Sequence, residues 1–319
     1  MTIPFQRAAD AVRGAGTEAA AFAGHVVRYP TGIHREHLPP PGRACPAHPT
    51  PAGAPPHHGP VLLLHGFIDN RAVFRPLLRA LHRDGWTHPH ALNHSPLTGD
   101  IRAAAVLLAR HVERARHTHH GARIALVGHS LGGLISRYYV QRLGGDEHVH
   151  TVITLATPHE GTHAARLPNP FPITRQLRPG SELLDELRLP APHCGTHFTA
   201  FWGELDEIVL PGRNALLHHP DLSAENIAVP GVGHVALPAD ARVLAAVRRI
   251  LARRDAADAD AATDADEATA ADGTGRAVAT TRPGPDTADI PAPRPGPGGG
   301  RRPAPGLRKI NPLNDRQAS

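Results

Sequence analysis

A serine lies between glycines at the point where a predicted strand gives way to a predicted helix. The stretch Gly128-His129-Ser130-Leu131-Gly132 follows the apolar run 124–127, and apolar residues then recur at helical spacing. So tight a turn leaves no room for side chains at the flanking positions, whereas the serine hydroxyl stands clear of the backbone. An ordinary glycine turn is the alternative, but the strand and helix on either side favour a nucleophile elbow at Ser130.

The serine needs two partners, because a hydroxyl is a poor nucleophile at neutral pH without a base and a group that orients the base. At an elbow of this kind the acid and then the histidine follow the serine along the chain. Asp206 follows the predicted strand 197–202, and His234 lies in a glycine loop after the predicted strand 226–229. We predict Ser130 as nucleophile, His234 as base and Asp206 as the orienting acid.

Other residues compete for the roles of acid and base. Glu204 and Glu207 flank Asp206, which we prefer because an apolar Ile-Val pair and then Pro211 follow it. His159 is an outside candidate for the base, but it follows the strand next after the elbow and so precedes the acid in the chain order.

The oxyanion that develops during attack needs hydrogen-bond donors already in place. Backbone N–H groups at the start of the helix after the serine and at the end of the first strand supply them in this kind of site. The sequence predicts these donors at Leu131 and Phe67.

Apolar runs alternate with helical patterns between residues 60 and 254, which predicts a single α/β domain. Runs that are apolar on both faces favour a mostly parallel sheet covered by helices on both faces. The predicted strands are 61–64, 89–92, 124–127, 152–155, 197–202 and 226–229, with helices at 71–82 and 100–116, after Ser130, and at 240–251.

Residues 163–195 interrupt this alternation and form a predicted insertion, a short leucine-rich cap over the carboxyl edge of the sheet. Two interpretations stay open: the leucines form the wall of a substrate-binding site, or they fill a gap in the scaffold. The candidate substrate-binding residues are Leu177, Leu183, Leu184 and Leu187, with Leu189 beside them.

The two ends of the chain differ in composition from this domain. Residues 1–38 predict an N-terminal helix and a short extended segment near 25–29, and residues 39–59 predict a proline-rich connector. Residues 255–319 consist largely of Ala, Asp, Thr, Pro, Gly and Arg, which predicts a disordered tail because so few apolar side chains cannot offset the entropy of ordering.

Composition and charge argue against several classes of partner and cofactor. The formal net charge is +5, but the arginines are dispersed among acidic residues, so we expect no nucleic-acid partner. The two cysteines make no disulfide framework, and the 25 histidines match no zinc template, so we expect neither a metal nor a cofactor. Charges within the first 24 residues argue against an export signal or a transmembrane segment, which predicts a cytoplasmic protein.

Four motifs taken together resemble one known family. They are His65-Gly66-Phe67, the elbow itself, Ala156-Thr157-Pro158-His159-Glu160-Gly161-Thr162 and Gly233-His234. The set resembles the bacterial lipase and esterase family of the α/β-hydrolase superfamily, and the third motif is similar to that of triacylglycerol lipases. The resemblance covers about residues 60–251 and implies hydrolysis of a small-molecule acyl ester or lipid through an acyl-enzyme, without cofactor. The family's nucleophile, acid and base fall on Ser130, Asp206 and His234.

Two further readings of the same residues stay open. The same triad could pass the acyl group to an alcohol or thiol other than water, or cleave a thioester or lactone. A catalytically silent α/β-hydrolase-like binding module is the other alternative, although such proteins commonly lose the triad residues, which are present here.

Overall fold

Six strands pair in one sheet, and every pairing is parallel. A computed structural model describes residues 16, 18–33, 59–94 and 99–274. The strands are β1 (Val61–Leu64), β2 (Pro89–Leu92), β3 (Ile124–His129), β4 (Val149–Leu155), β5 (His197–Gly203) and β6 (Ser223–Val229), in the spatial order β2-β1-β3-β4-β5-β6. Because all six strands run the same way, the loops after β3, β5 and β6 emerge at the same edge.

Helices connect the strands and begin where local chemistry favours them. They are α1 (residues 18–28), α2 (Arg75–Arg83), α3 (Ile101–Thr118), α4 (Leu131–Arg142), α5 (Glu182–Arg188) and α6 (Ala241–Thr274). The Asp100 carboxylate caps α3 by accepting a hydrogen bond from the Arg102 N–H, and Ser181 caps α5 in the same manner through the Leu184 N–H.

The sheet has a hydrophobic core on each face. Leu62 and Leu64 of β1 point into a cluster shared with α3 and α4, whereas Val61 and Leu63 point into a cluster shared with α2 and α6. Alternate side chains of one strand thus pack in opposite cores, which explains why the central strands are apolar throughout. The predicted α/β-hydrolase fold, a parallel sheet covered by helices on both faces, is confirmed.

The predicted extended segment near residues 25–29 is wrong. Residues 18–28 are α-helical as α1, and Tyr29–Gly32 continue as a 3-10 turn. Val26 and Val27 favour a strand by propensity, but they remain 53% and 77% exposed and have no neighbouring strand to pair with. Tertiary contacts made by the polar face of the helix override the local β preference.

The predicted start of the tail at residue 255 is also too early, because α6 continues to Thr274. The alanine-rich sequence has high helix propensity, and its first acidic residues bond to the domain. Asp255 accepts a hydrogen bond of 2.7 Å from the Gly59 N–H, and Asp258 accepts one of 2.8 Å from Arg123.

The chain divides into two units, residues 1–270, which hold the sheet and its covering helices, and residues 271–319, of which 271–274 are described. Most of the predicted connector, residues 39–58, and the part of the predicted tail from 275 onward lie outside the described residues, as do residues 1–15 of the predicted N-terminal helix.

Candidate active site

The elbow predicted at Ser130 joins the end of β3 directly to the start of α4. Ser130 has φ 51° and ψ −117°, a backbone conformation that non-glycine residues rarely adopt and that surrounding contacts must hold in place. Its N–H donates a 2.8 Å hydrogen bond to the Leu155 carbonyl at the end of β4. A Cβ at Gly132 would lie 2.2 Å from the Leu64 carbonyl oxygen, so only glycine allows α4 to approach β1 this closely.

Two more non-glycine residues with positive φ lie near the elbow. Ile68 (φ 52°) is in the loop after β1, and Ala156 (φ 50°) directly follows β4. Since β1 and β4 are the neighbours of β3, the loops or turns after three adjacent strands each contain a strained residue at the same edge. Strain concentrated in this way is typical of a functional site.

Asp206 and His234, predicted from separate loops, meet in the structure. The His234 Nδ1 lies 2.8 Å from Asp206 Oδ2, and the carboxylate side chain is only 2% exposed. The other carboxylate oxygen accepts 2.8 Å hydrogen bonds from the N–H groups of Ile208 and Val209. Because Nδ1–H donates to the carboxylate, neutral His234 carries its lone pair on Nε2, as a general base requires.

The loops that contain Asp206 and His234 are also joined to each other through their backbones and to the elbow. The Leu205 N–H donates to the Val232 carbonyl at 3.1 Å. His129, next to Ser130, donates from Nε2 to the His234 carbonyl at 3.2 Å, and the two imidazole centroids are 5.0 Å apart. Within the described residues the Ser130 hydroxyl makes no hydrogen bond, to His234 included.

The predicted oxyanion donors lie on the two loops that border Ser130. A Cβ on Gly66 would be 3.2 Å from the Ser130 Cβ, so the loop that contains Phe67 lies directly beside Ser130. In the described ranges neither the Phe67 N–H nor the Leu131 N–H has an acceptor. Leu131 is the first residue of α4, so its N–H is also at the positive end of the helix dipole.

Asp69 is a site residue that the sequence analysis missed. It follows Phe67 closely, and its carboxylate lies 3.3 Å from His25 Nε2 and 3.9 Å from His129 Nδ1. Burial raises the pKa of Asp69, against the opposing effects of His25, the Asn70 N–H and His234. In the sequence, only the closeness of Asp69 to His65-Gly66-Phe67 could have indicated that it lies near the elbow.

His159, the outside candidate for the base, and His65, which follows β1, both bond to neighbouring groups. His159 is 1% exposed and its Nε2 lies 2.9 Å from the Thr154 hydroxyl, away from Asp206. His65 donates from Nδ1 to the Gly66 carbonyl at 2.8 Å and accepts from the His94 N–H through Nε2 at 3.2 Å. His65 therefore braces the loop that contains Phe67.

An aromatic contact joins the insertion to the loop that contains Phe67. Phe171 packs edge-to-face on Phe67 with ring centroids 5.2 Å apart. The leucines proposed for substrate contact lie deeper: Leu183, Leu184 and Leu187 are at most 1% exposed, and Leu177 is 7% exposed, all within the core cluster of that face. This burial favours the interpretation in which they fill the scaffold.

The described residues contain neither a cluster of metal-ligating side chains nor a membrane-spanning helix. Among residues 16, 18–33, 59–94 and 99–274, no three His, Cys, Asp or Glu side chains are grouped to hold a metal ion. None of the helices described is both long enough and apolar enough to cross a bilayer.

Comparison with known proteins bears on the fold that carries these residues. The sequence model of the family described as alpha/beta hydrolase fold matches residues 59–186, which include Phe67 and Ser130 but end before Asp206 and His234. The crystal structure of the mature Bacillus licheniformis lipase BlEst2 is 16% identical, with a TM-score of 0.53, over 67% of this chain and 96% of that one. Aspergillus fumigatus lipase B is 17% identical, with a TM-score of 0.46, over 54% of this chain and 44% of that one.

At identities of 16% and 17%, the likeness to solved structures shows the fold and not the substrate. The all-parallel sheet, the strained serine after β3 and the match of residues 59–186 agree with one another. They identify this chain as an α/β-hydrolase-fold protein whose solved structural neighbours include lipases.

Proposed function

We propose that this protein hydrolyses carboxylic esters, of small acyl compounds or lipids, through an acyl-enzyme on Ser130. The observation that carries the proposal is the buried 2.8 Å hydrogen bond between His234 Nδ1 and Asp206 Oδ2, formed in loops at the same sheet edge as the strained Ser130. Three donors converge on Asp206, one from the His234 ring and two from the backbone, which matches an acceptor-only carboxylate.

Acylation follows from these positions. His234 Nε2 takes the hydroxyl proton of Ser130 as the serine oxygen bonds to the ester carbonyl carbon. The carbonyl oxygen becomes an oxyanion and accepts hydrogen bonds from the N–H groups of Phe67 and Leu131. The tetrahedral intermediate then collapses, the ester C–O bond breaks, and His234 gives its proton to the leaving alcohol oxygen.

Deacylation repeats the same steps with water. His234 Nε2 removes a proton from water as its oxygen bonds to the acyl carbon, and the second tetrahedral intermediate releases the acid and restores the Ser130 hydroxyl. Asp206 keeps the His234 ring in the correct tautomer and stabilises the imidazolium that forms twice in each cycle.

Hydrolysis of p-nitrophenyl esters with acyl chains from acetyl to palmitoyl tests the proposal. Ser130→Ala should lower kcat by about 10⁴-fold or more while the variant remains folded by circular dichroism. The chain-length optimum of the wild type would separate an esterase from a lipase. Turnover that survives in Ser130→Ala, or no turnover of any ester by the wild type, would reject the proposal, and the second result would favour a silent binding module.

A further inference from the structure

The N-terminal helix α1 contacts the loop that carries His234. The Val235 N–H donates a 2.5 Å hydrogen bond to Glu18 Oε1, and the Ala236 N–H donates one of 3.0 Å to Glu18 Oε2. Hydrogen bonds to an ionised carboxylate are shorter and about twice as strong as those between neutral groups. A residue more than 200 positions away in sequence thus holds the backbone next to the proposed base.

The loop is shaped to admit this carboxylate. A Cβ at position 233 would lie 2.6 Å from Glu18 Oε2, so Gly233 lets the carboxylate rest directly against the backbone before His234. Just beyond the two bonded amides, Leu237–Ala239 form a 3-10 turn. Glu18 therefore satisfies N–H groups at the entry to this turn, as a capping side chain does.

Contacts independent of Glu18 fix the position of α1. His25 Nε2 lies 3.3 Å from Asp69 Oδ1, in the loop that contains Phe67. The Asn70 side-chain amide donates to the Tyr29 carbonyl at 2.9 Å. Because these contacts remain in a Glu18 variant, replacing Glu18 should release the loop after His234 without undocking the helix.

We propose that Glu18 is a positioning residue of this active site, which holds the His234 imidazole in line between Asp206 and Ser130 through the N–H groups of Val235 and Ala236. The inference rests on the proposed function. Asp206 fixes the ring at Nδ1 only, so the backbone must fix the direction in which Nε2 points. A displacement of about 1 Å at such a group can cost about 100-fold in rate.

The experiment compares Glu18→Ala and Glu18→Gln with Asp84→Asn in the full chain. Asp84 pairs with Arg248 to join α2 to α6, so Asp84→Asn also removes a tertiary contact of a carboxylate. Asp84 follows α2 and precedes β2, at the sheet edge opposite the elbow. Glu18→Ala should lower kcat by about 10-fold to 100-fold with KM within about twofold, as expected for a misplaced base.

Glu18→Gln keeps one oxygen acceptor for the two N–H groups, so its kcat should lie between those of Glu18→Ala and the wild type. Asp84→Asn should lower the melting temperature and leave kcat unchanged. Amide hydrogen exchange across residues 233–238 should become faster in Glu18→Ala and not in Asp84→Asn. A Glu18→Ala variant with wild-type kcat or unchanged exchange would overturn the inference, as would an equal fall of kcat in Asp84→Asn.

Ester turnover by the wild type distinguishes failure of the Glu18 inference from failure of the proposed function. If the wild type hydrolyses esters in a Ser130-dependent way and Glu18→Ala matches it, only the role of Glu18 is lost. If the wild type shows no Ser130-dependent turnover, the proposed function fails and the role of Glu18 fails with it.

Discussion

Arg137, in the middle of α4, donates a 3.1 Å hydrogen bond to the carbonyl oxygen of Leu187 near the end of α5. The same guanidinium donates to the His159 carbonyl at 3.1 Å and to the Gln141 side chain at 2.7 Å. The residue is 1% exposed, and burial lowers the pKa of Arg137 to about 10. One buried cation therefore joins the helix after the elbow, the loop after β4 and the insertion.

Arg137→Lys should destabilise the fold by about 3 kcal/mol, because a lysine ammonium cannot reach all three acceptors and leaves buried carbonyls unpaired. Urea unfolding measures the change. Arg142→Lys is the matched control, since Arg142 bonds to the Leu189 and Pro190 carbonyls from a more exposed position where water can replace it. Equal losses of stability in the two variants would contradict the role given to burial.

Asp206→Asn should lower kcat by about 10⁴-fold with a small change in KM, because an amide can donate to His234 Nδ1 and hold the ring in the wrong tautomer. Glu207→Gln is the control: it lies next to Asp206 in sequence, but its side chain is exposed. Steady-state kinetics on a p-nitrophenyl ester compares them. An Asp206→Asn variant as active as Glu207→Gln would exclude Asp206 as the acid.

Gly132→Ala should cost about 3 kcal/mol or more and abolish ester turnover, because the new Cβ meets the backbone of β1 and must displace the elbow. The control is Gly195→Ala, where nothing lies within 4 Å of the added Cβ, so the free energy of unfolding should change by less than about 0.5 kcal/mol. Thermal unfolding and activity are measured on both. A stable, active Gly132→Ala protein would show that α4 can move away from β1 without harm.

Buried histidines should make the protein less stable in acid. Burial holds the pKa of His65 down to about 3 and the pKa values of His129 and His159 well below 6.5, so all three stay neutral in the folded state. The unfolded chain binds protons below about pH 6.5, so each histidine lowers the unfolding free energy by up to about 1.4 kcal/mol per pH unit as the pH falls from there towards its folded-state pKa.

Urea unfolding at pH 7.5, 6.5 and 5.5 measures this effect, with His159→Asn as the test variant. In His159→Asn the unfolded chain binds one proton fewer. The slope of the unfolding free energy against pH below 6.5 should therefore be smaller by up to about 1.4 kcal/mol per pH unit. An identical slope in the variant and the wild type would show that His159 binds its proton equally in the folded and unfolded states.

Much of the fold was predictable because its signals are local. The runs 61–64 and 89–92 form β1 and β2 with the predicted bounds, and the predicted start of β5 at residue 197 also agrees. A strand of a parallel sheet is covered on both faces, so most of its side chains are apolar, and this makes it a nearly continuous apolar run in the sequence. The strained turn at Ser130 was predictable too, because glycines mark where backbones approach closely.

The errors arose where propensity and composition compete with tertiary contacts. The Val26-Val27 pair favours a strand in isolation, but Glu18 and His25 of α1 and Tyr29 just after it anchor this segment as a helix. Residues from 255 onward lack an apolar face, yet Asp255 and Asp258 bond to Gly59 and Arg123 and the helix continues. Neither set of partners is near in sequence, so no local pattern could have indicated them.

Local patterns were enough to predict the parallel α/β architecture and the elbow, because apolar runs and glycine turns are visible within a few residues. The order of residues along the chain was enough to predict the candidates Ser130, Asp206 and His234. Other features follow from packing alone: Asp206 rather than its glutamate neighbours bonds to His234, the insertion's leucines are buried, and Glu18 and Asp69 lie near His234 and His129. Those outcomes depend on distances between segments far apart in sequence, which are fixed when the sheet and its helices pack together.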